Sequence, residues 1–153
     1  MIEIGDISSE FASLLLNSGW TVDRRVDPTD VVTKLSAEGF SPNAHARKIL
    51  ESLGGLTVRI PAAGLSASAS HIRFDPVYAA TDEYFRAEHF QSQLAITLFP
   101  LGEEVTSGGI LWAGSDGKYY LGREFGLYLM GDTFREAMDY MTSPQKIAAR
   151  VAE

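Results

Sequence analysis

Cysteine is absent from this sequence. A chain without thiols forms no disulfide, has no thiolate nucleophile and offers zinc no sulfur ligand. Apolar runs are also short, and none approaches the roughly 18 residues that a transmembrane helix requires. The first residues, Met1 to Asp6, are acidic and lack the basic start and the apolar stretch of a secretory signal. Together these absences favour a cytoplasmic protein that does not associate with a membrane.

Basic residues are scarce relative to acidic ones. Lysine and arginine number 13 against 20 aspartates and glutamates, so the formal net charge is −7 at pH 7. Phosphate binding depends on clustered lysine and arginine, so this balance argues against nucleic acid and against an anionic membrane surface as partners. A negative surface favours encounter with a basic partner, although solubility alone is a sufficient reason for it.

Catalytic motifs are missing as well. The chain contains no G-x-G-x-x-G, G-x-x-x-x-G-K-[ST], H-E-x-x-H or G-x-S-x-G sequence. Its three histidines, His45, His71 and His89, lie far apart and show no metal-ligand spacing. We therefore predict a protein with no cofactor, no metal and no catalytic residues.

The patterns that are present predict one α+β domain over residues 1–153, with a core of about 7–142. Capping residues and first-turn prolines predict three N-terminal helices, which start at Ser8, Asp27 and Ser41 and end at Gly19, Gly39 and Gly54. Residues 62–70, rich in serine and alanine, are predicted to be a loop whose role stays open.

A central, mostly antiparallel sheet is predicted after these helices. Its strands are 57–60, 71–74, 94–99, 110–113, 118–121 and, as the last one, 127–130. A helix is predicted from Thr81 to about Gln91, and a C-terminal helix after Asp132. Residues 143–153 are predicted to form a loose tail. Both faces of 110–113 are apolar, so the sheet is either covered on both sides or presents an aromatic patch.

An ordered series of short segments resembles a known family. The segments are Gly19-Trp20, Arg24-Arg25-Val26, Gly39-Phe40, Leu53-Gly54-Gly55-Leu56, Phe74-Asp75-Pro76, Phe99-Pro100-Leu101-Gly102, Asp116-Gly117-Lys118-Tyr119 and Leu129-Met130-Gly131-Asp132-Thr133. The series is similar to the third immunity-protein family of the SUKH superfamily, which also includes Syd-type and Knr-type domains. It extends from about Phe11 to Met141 and implies an α+β fold like the one predicted above.

The resemblance implies the immunity half of a bacterial polymorphic-toxin system. Such a protein binds and neutralises a cognate toxin domain encoded nearby, and many known toxins of this kind attack nucleic acids. It implies no catalytic residues and leaves the oligomeric state open. The alternative is a non-catalytic scaffold or regulatory module without a toxin partner, and a third hypothesis is an uncharacterised enzyme or small-molecule binder.

Occlusion is the mechanism expected of such a protein. A nuclease carries a basic groove for its phosphate substrate, and an acidic protein can fill that groove as a charge mimic. The predicted toxin-contacting residues are Asp82, Glu83, Glu88, Glu103, Glu104 and Asp116, with Trp112 and Tyr120 as aromatic anchors. Neighbouring acids in these segments do not face each other, so they are poor candidates for paired acid/base chemistry.

Overall fold

A computed structural model describes residues 2–61, 69–142 and 148–153. Within these ranges a short 3-10 helix at Ile4–Asp6 precedes six α-helices and seven strands. The helices are α1 (Ser9–Asn17), α2 (Thr29–Glu38), α3 (Ala44–Leu53), α4 (Pro76–Ala80), α5 (Tyr84–Leu94) and α6 (Phe134–Thr142). The strands are β1 (Thr57–Ile60), β2 (Ser70–Arg73), β3 (Leu98–Glu104), β4 (Gly109–Gly114), β5 (Tyr119–Arg123), β6 (Gly126–Gly131) and β7 (Ala149–Ala152). The predicted loop 62–70 lies largely outside the described residues.

The seven strands form one antiparallel sheet in sequential order, from β1 at one edge to β7 at the other. The predicted α+β class and antiparallel sheet are therefore confirmed. Leu98 pairs with Gly114 at one end of the β3–β4 ladder, and Glu104 pairs with Gly109 at the other. We call the end that carries the β3–β4 and β5–β6 turns the Phe125 end. The end that carries the β4–β5 turn is the Asp116 end.

Helices cover both faces of the sheet. Tyr119 of β5 contacts Phe134 of α6, with ring centroids 5.5 Å apart. A Cβ placed on Gly122 of the same strand would lie 3.5 Å from Phe90 of α5. Tyr119 and Gly122 point to opposite faces because strand residues alternate. Every residue of β4 is accordingly buried, and of the two alternatives for the apolar strands the covered sheet is correct.

Capping groups explain the N-terminal helices. The Ser8 side chain accepts a hydrogen bond from the Phe11 amide at the start of α1, as the sequence predicts. Helix α3 begins later than predicted, because Asn43 rather than Ser41 supplies the capping oxygen. Gly39 ends α2 with a φ of 118°, a conformation that favours glycine.

Two predictions between α3 and β4 are wrong in detail. The predicted helix 81–91 is preceded by a separate helix, α4, and α5 itself starts at Tyr84. The predicted strand 94–99 begins only at Leu98, because α5 continues through Leu94. The Gln91 side chain accepts a hydrogen bond from the Leu98 amide and so stabilises this helix-to-strand connection. The apolar spacing of 94–99 suits a helix end as well as a strand, so periodicity alone does not separate them.

The C-terminal segment also differs from prediction. Residues 149–152 form strand β7, which pairs with β6, so 127–130 is not the last strand and this part of the tail is not loose. This pairing is a long-range contact, because helix α6 separates β6 from β7 in the sequence. Residues 143–147 lie outside the described part of the chain.

Candidate functional site

The predicted contact residues do not form one patch. Glu103 and Glu104 end β3 at the Phe125 end of the sheet, and Asp116 lies in the β4–β5 turn at the other end. Strand β4 separates these turns by six residues, which correspond to roughly 20 Å at about 3.3 Å per residue. The predicted acids therefore lie in separate turns at opposite ends of the sheet.

The third group of acids surrounds the start of α5. Glu83 forms an ion pair with Arg86 at 2.7 Å, and the Asp82 amide donates a hydrogen bond to the Glu38 side chain. Glu88 is exposed on α5 and makes no hydrogen bond or ion pair with the described residues. Of these three acids, only Glu83 has its carboxylate engaged, whereas the carboxylates of Asp82 and Glu88 have no partner among the described residues.

Glu103 belongs to a small surface network. Its carboxylate binds Arg73 across the β2–β3 ladder at 3.1 Å. The Arg73 guanidinium also lies 4.9 Å from the ring centroid of Tyr78, a side chain that is 67% exposed. The network thus connects the Phe125 end to an exposed aromatic side chain on α4.

Glu104 holds the β3–β4 turn together. Its carboxylate accepts hydrogen bonds from the Thr106 amide at 3.1 Å, the Ser107 amide at 2.8 Å and the hydroxyls of Ser70 and Ser107. Partial burial raises the pKa of this carboxyl, but these hydrogen bonds outweigh that effect and leave the pKa below its ordinary value. Glu104 therefore contributes to local stability, and its charge is already engaged.

Asp116 has a comparable internal role at the other end. It accepts a hydrogen bond from the Tyr120 hydroxyl at 2.5 Å and another from the Lys118 amide at 3.1 Å. Burial and the neighbouring Asp116 carboxylate raise the pKa of Tyr120 above its ordinary value. Tyr120 is 5% exposed, so it positions Asp116 and presents almost no surface to a partner.

Trp112 is part of the core. Its side chain is fully buried and lies against Phe40, with ring centroids 5.9 Å apart. A side chain in this position does not reach a partner docked on the surface. The two predicted aromatic anchors, Trp112 and Tyr120, thus have structural positions, because the helices on this face of the sheet cover them.

The β5–β6 turn carries exposed side chains that are not among the predicted contact residues. Phe125 occupies the tip of this turn and is 73% exposed, the largest exposure among the large apolar side chains of the described residues. Glu124 beside it makes no hydrogen bond or ion pair with those residues. Val105 in the adjacent β3–β4 turn is 38% exposed. The available signal was an aromatic residue inside the short Gly122–Gly126 segment, where a hairpin turn places side chains in solvent.

A cleft of about 360 Å³ opens at the Asp116 end. Its lining includes Asp6, His45, Lys48, Tyr119, Asp132 and Arg135. Lys48 and Asp6 are paired at 3.0 Å, and hydrogen bonding by the Glu3 amide and by Lys48 lowers the pKa of Asp6. Burial, with a smaller contribution from Asp6, raises the pKa of Tyr119 to about 12, so this phenol is neutral at pH 7. The cleft therefore offers a neutral hydroxyl and paired charges rather than an activated nucleophile.

Within 2–61, 69–142 and 148–153, no cluster of three or more histidine, aspartate or glutamate side chains could hold a metal ion. No helix in these ranges has the length and apolarity needed to cross a membrane.

Comparison with known proteins gives one match. The model of the SUKH-3 immunity protein family matches residues 7–143, which is most of the chain. Neither curated proteins nor solved structures provide a match. The chain therefore belongs to the SUKH-3 immunity protein family, and its function is immunity against a toxin.

Proposed function

We propose that this SUKH-3 immunity protein neutralises a basic toxin domain, encoded nearby, by covering the toxin's active surface with its Phe125 end. The protein works by binding in the cytoplasm and performs no reaction of its own. A nuclease is the toxin type that fits best, because its substrate groove has the positive charge that this acidic chain complements. The exposure of Phe125 beside an unpaired acid is the observation that carries the proposal.

Phe125 has the properties of an interface anchor. Large aromatic side chains contribute much of the binding energy at protein interfaces, and an exposed one is accessible to a partner without a change in the fold. Removing an apolar side chain of this size from water stabilises a complex by about 1.5–3 kcal/mol. Val105 in the neighbouring turn extends the apolar surface toward β3.

The acids around Phe125 supply the electrostatic part. Glu124 is unpaired within the described residues and is free to bind a lysine or arginine of the toxin. Glu103 is paired with Arg73, and Glu104 accepts hydrogen bonds within the β3–β4 turn. These two acids therefore contribute negative electrostatic potential more than direct contacts with the toxin. Charges of this kind accelerate association, and the effect decreases as salt screens them.

The test compares charge reversals at two acids that flank β6, one at each end of the strand. Glu124 lies in the turn before β6 and Asp132 directly follows this strand, whose six residues span roughly 20 Å at about 3.3 Å per residue, and both acids are exposed. The product of the adjacent gene would be co-purified with the immunity protein and its association rate measured at low and high salt. Glu124→Lys is expected to slow association about tenfold at low salt, and Asp132→Lys to change it much less.

Phe125→Ala is expected to weaken toxin binding by about 10- to 100-fold, mainly through faster dissociation. Full affinity in both Phe125→Ala and Glu124→Lys would reject docking at this end. A stronger effect of Asp132→Lys would place the contact at the Asp116 end instead. If no protein encoded nearby binds at all, the scaffold or regulatory module becomes the better hypothesis.

A further inference from the structure

A second, mostly apolar cleft lies beside β1 and β2. It has a volume of about 260 Å³ and is bounded by the start of α2, the end of α3 and the start of α4. Its walls are Val26, Pro28, Val31, Leu50, Gly54, Gly55, Phe74 and Pro76. Pockets for drug-sized ligands measure about 300–1,000 Å³, so this cleft suits one side chain better than a whole cofactor.

Two acidic residues, Asp27 and Asp75, complete the lining, and we call the site the Asp27–Asp75 cleft. Oδ1 of Asp27 accepts hydrogen bonds from the Thr29 amide at 3.0 Å and its hydroxyl at 2.6 Å. Oδ1 of Asp75 accepts one from the Tyr78 amide at 3.1 Å. These bonds hold both carboxylates in place, whereas Oδ2 of each makes no hydrogen bond with the described residues. Each acid is therefore preorganised and keeps one oxygen for a ligand.

The charges near the cleft favour a cation at its rim. Hydrogen bonds from the Thr29 hydroxyl and amide lower the pKa of Asp27, so this acid is ionised at pH 7. One basic group beside the cleft is Arg24, whose guanidinium donates to the carbonyls of Ser52 at 2.6 Å and Gly54 at 2.8 Å. That charge lies on the Gly54–Gly55 side, so a ligand's cationic group is better placed beside Asp27 and Asp75.

The cleft is continuous with the surface proposed for toxin binding. Asp75 caps α4, the helix that carries Tyr78. The guanidinium of Arg73 lies over the Tyr78 ring and also binds Glu103 at the Phe125 end. A partner that covers the Phe125 end and Tyr78 would reach the rim of the cleft.

We propose that the Asp27–Asp75 cleft binds one arginine or lysine side chain of the partner. The aliphatic stem lies against Val31, Leu50 and Phe74, and the cationic head binds the free carboxylate oxygens of the two aspartates. Long basic side chains bury their stems on apolar surface while their heads stay at a polar rim, and a guanidinium suits two carboxylates especially well. The identity of this occupant rests on the proposed function, whereas the site itself can be tested without the toxin.

The direct test uses n-butylguanidinium as the probe and the uncharged n-butylurea as its matched analogue. Each is titrated into ¹⁵N-labelled protein while amide chemical shifts are followed. We expect n-butylguanidinium to shift the amides of Val31, Gly54 and Gly55 and to bind about tenfold more tightly than n-butylurea. Equal binding of the two probes, or shifts confined to other residues, would overturn the assignment.

Asparagine substitutions isolate the charge. Asp27→Asn with Asp75→Asn keeps an oxygen to accept the hydrogen bonds from the Thr29 and Tyr78 amides, so α2 and α4 should form as before. The double variant is expected to lose about tenfold in affinity for n-butylguanidinium and none for n-butylurea. Asp30→Asn, which changes an exposed acid outside the cleft, is the control and should leave both affinities unchanged.

Measurement of toxin binding tests the cleft separately from the proposed docking at the Phe125 end. The asparagine double variant is expected to weaken toxin binding about tenfold, whereas unchanged binding would overturn the occupant proposed here. That outcome leaves docking at the Phe125 end intact, because Phe125→Ala and Glu124→Lys test it separately.

Discussion

The two ends of the sheet both carry acidic turns, yet they use their side chains differently. At the Asp116 end, Asp116 binds Tyr120, and Asp132 lies 3.6 Å from Lys118. At the Phe125 end, Glu104 is equally engaged, but Glu124 has no partner among the described residues and Phe125 is 73% exposed. The number of acids thus does not distinguish a binding surface from a stabilised turn. What distinguishes it is the presence of side chains that the fold itself does not use.

The largest expected effect is the difference in the free energy of unfolding between variants of the buried Trp112 and of the exposed Phe125. Trp112→Ala should destabilise the protein by about 3–5 kcal/mol, because it removes a fully buried side chain and leaves a cavity. Phe125→Ala should change the free energy of unfolding by less than about 0.5 kcal/mol. Denaturant titration of both variants measures this contrast. A comparable loss in Phe125→Ala would show that this side chain supports the fold, and the comparison of the two ends would then fail.

A smaller effect is expected from Glu104→Gln, which removes charge from the turn at the Phe125 end. Hydrogen bonds to a charged group are stronger than neutral ones, so the cost should be about 1–2 kcal/mol at pH 7. The folded-state pKa of Glu104 lies below its ordinary value, so its stabilisation is present above the unfolded-state pKa. It is lost as the pH falls through the folded-state pKa.

Stability curves of the wild type and of Glu104→Gln should therefore converge in acid, as the pH falls through the folded-state pKa of Glu104, and diverge toward pH 7. Asp132→Asn, with an exposed and weakly paired acid at the other end, serves as the control and should show a difference of about 0–0.5 kcal/mol both in acid and at pH 7. A pH-independent difference in Glu104→Gln would mean that its effect comes from packing and not from charge.

The smallest of these effects is expected at the Asp116 end. Tyr120→Phe removes the hydroxyl that binds Asp116 and should cost about 1 kcal/mol. The Asp116→Asn variant still has an oxygen to accept this bond, so it should cost less. Thermal unfolding of the two variants checks the order, and a larger loss in Asp116→Asn would instead assign the stabilisation to the charge of Asp116.

Local chemistry predicted much of the fold correctly. The side chain of Ser8 does cap α1, and residues 57–60 do form a strand. The hairpin around Asp116-Gly117 is also present, with Gly117 at a φ of 83°. These features depend on a few neighbouring residues, which is why a sequence pattern is sufficient to predict them.

Predictions that depend on distant contacts were less accurate. The strand predicted at 94–99 begins only at Leu98, because α5 continues through Leu94. The segment predicted as a loose tail, 143–153, contains strand β7. The candidate site shows the same limit, because Trp112 and Tyr120 were selected as aromatic residues on strands although helices cover them. For Phe125 the local pattern indicates a turn between Gly122 and Gly126, but the exposure of the side chain depends on the strands and helices around that turn.

The sequence by itself determined the α+β class, the Ser8 cap of α1, the turn at Asp116-Gly117 and a family resemblance, since each of these depends on composition or on residues close together in the chain. Only the tertiary structure decided that Trp112 is inside and Phe125 outside, and that Asp27 and Asp75 face one cleft. The physical reason is that exposure is a property of the assembled layers: a side chain is removed from water by segments tens of residues away, and no local pattern specifies which segments those are.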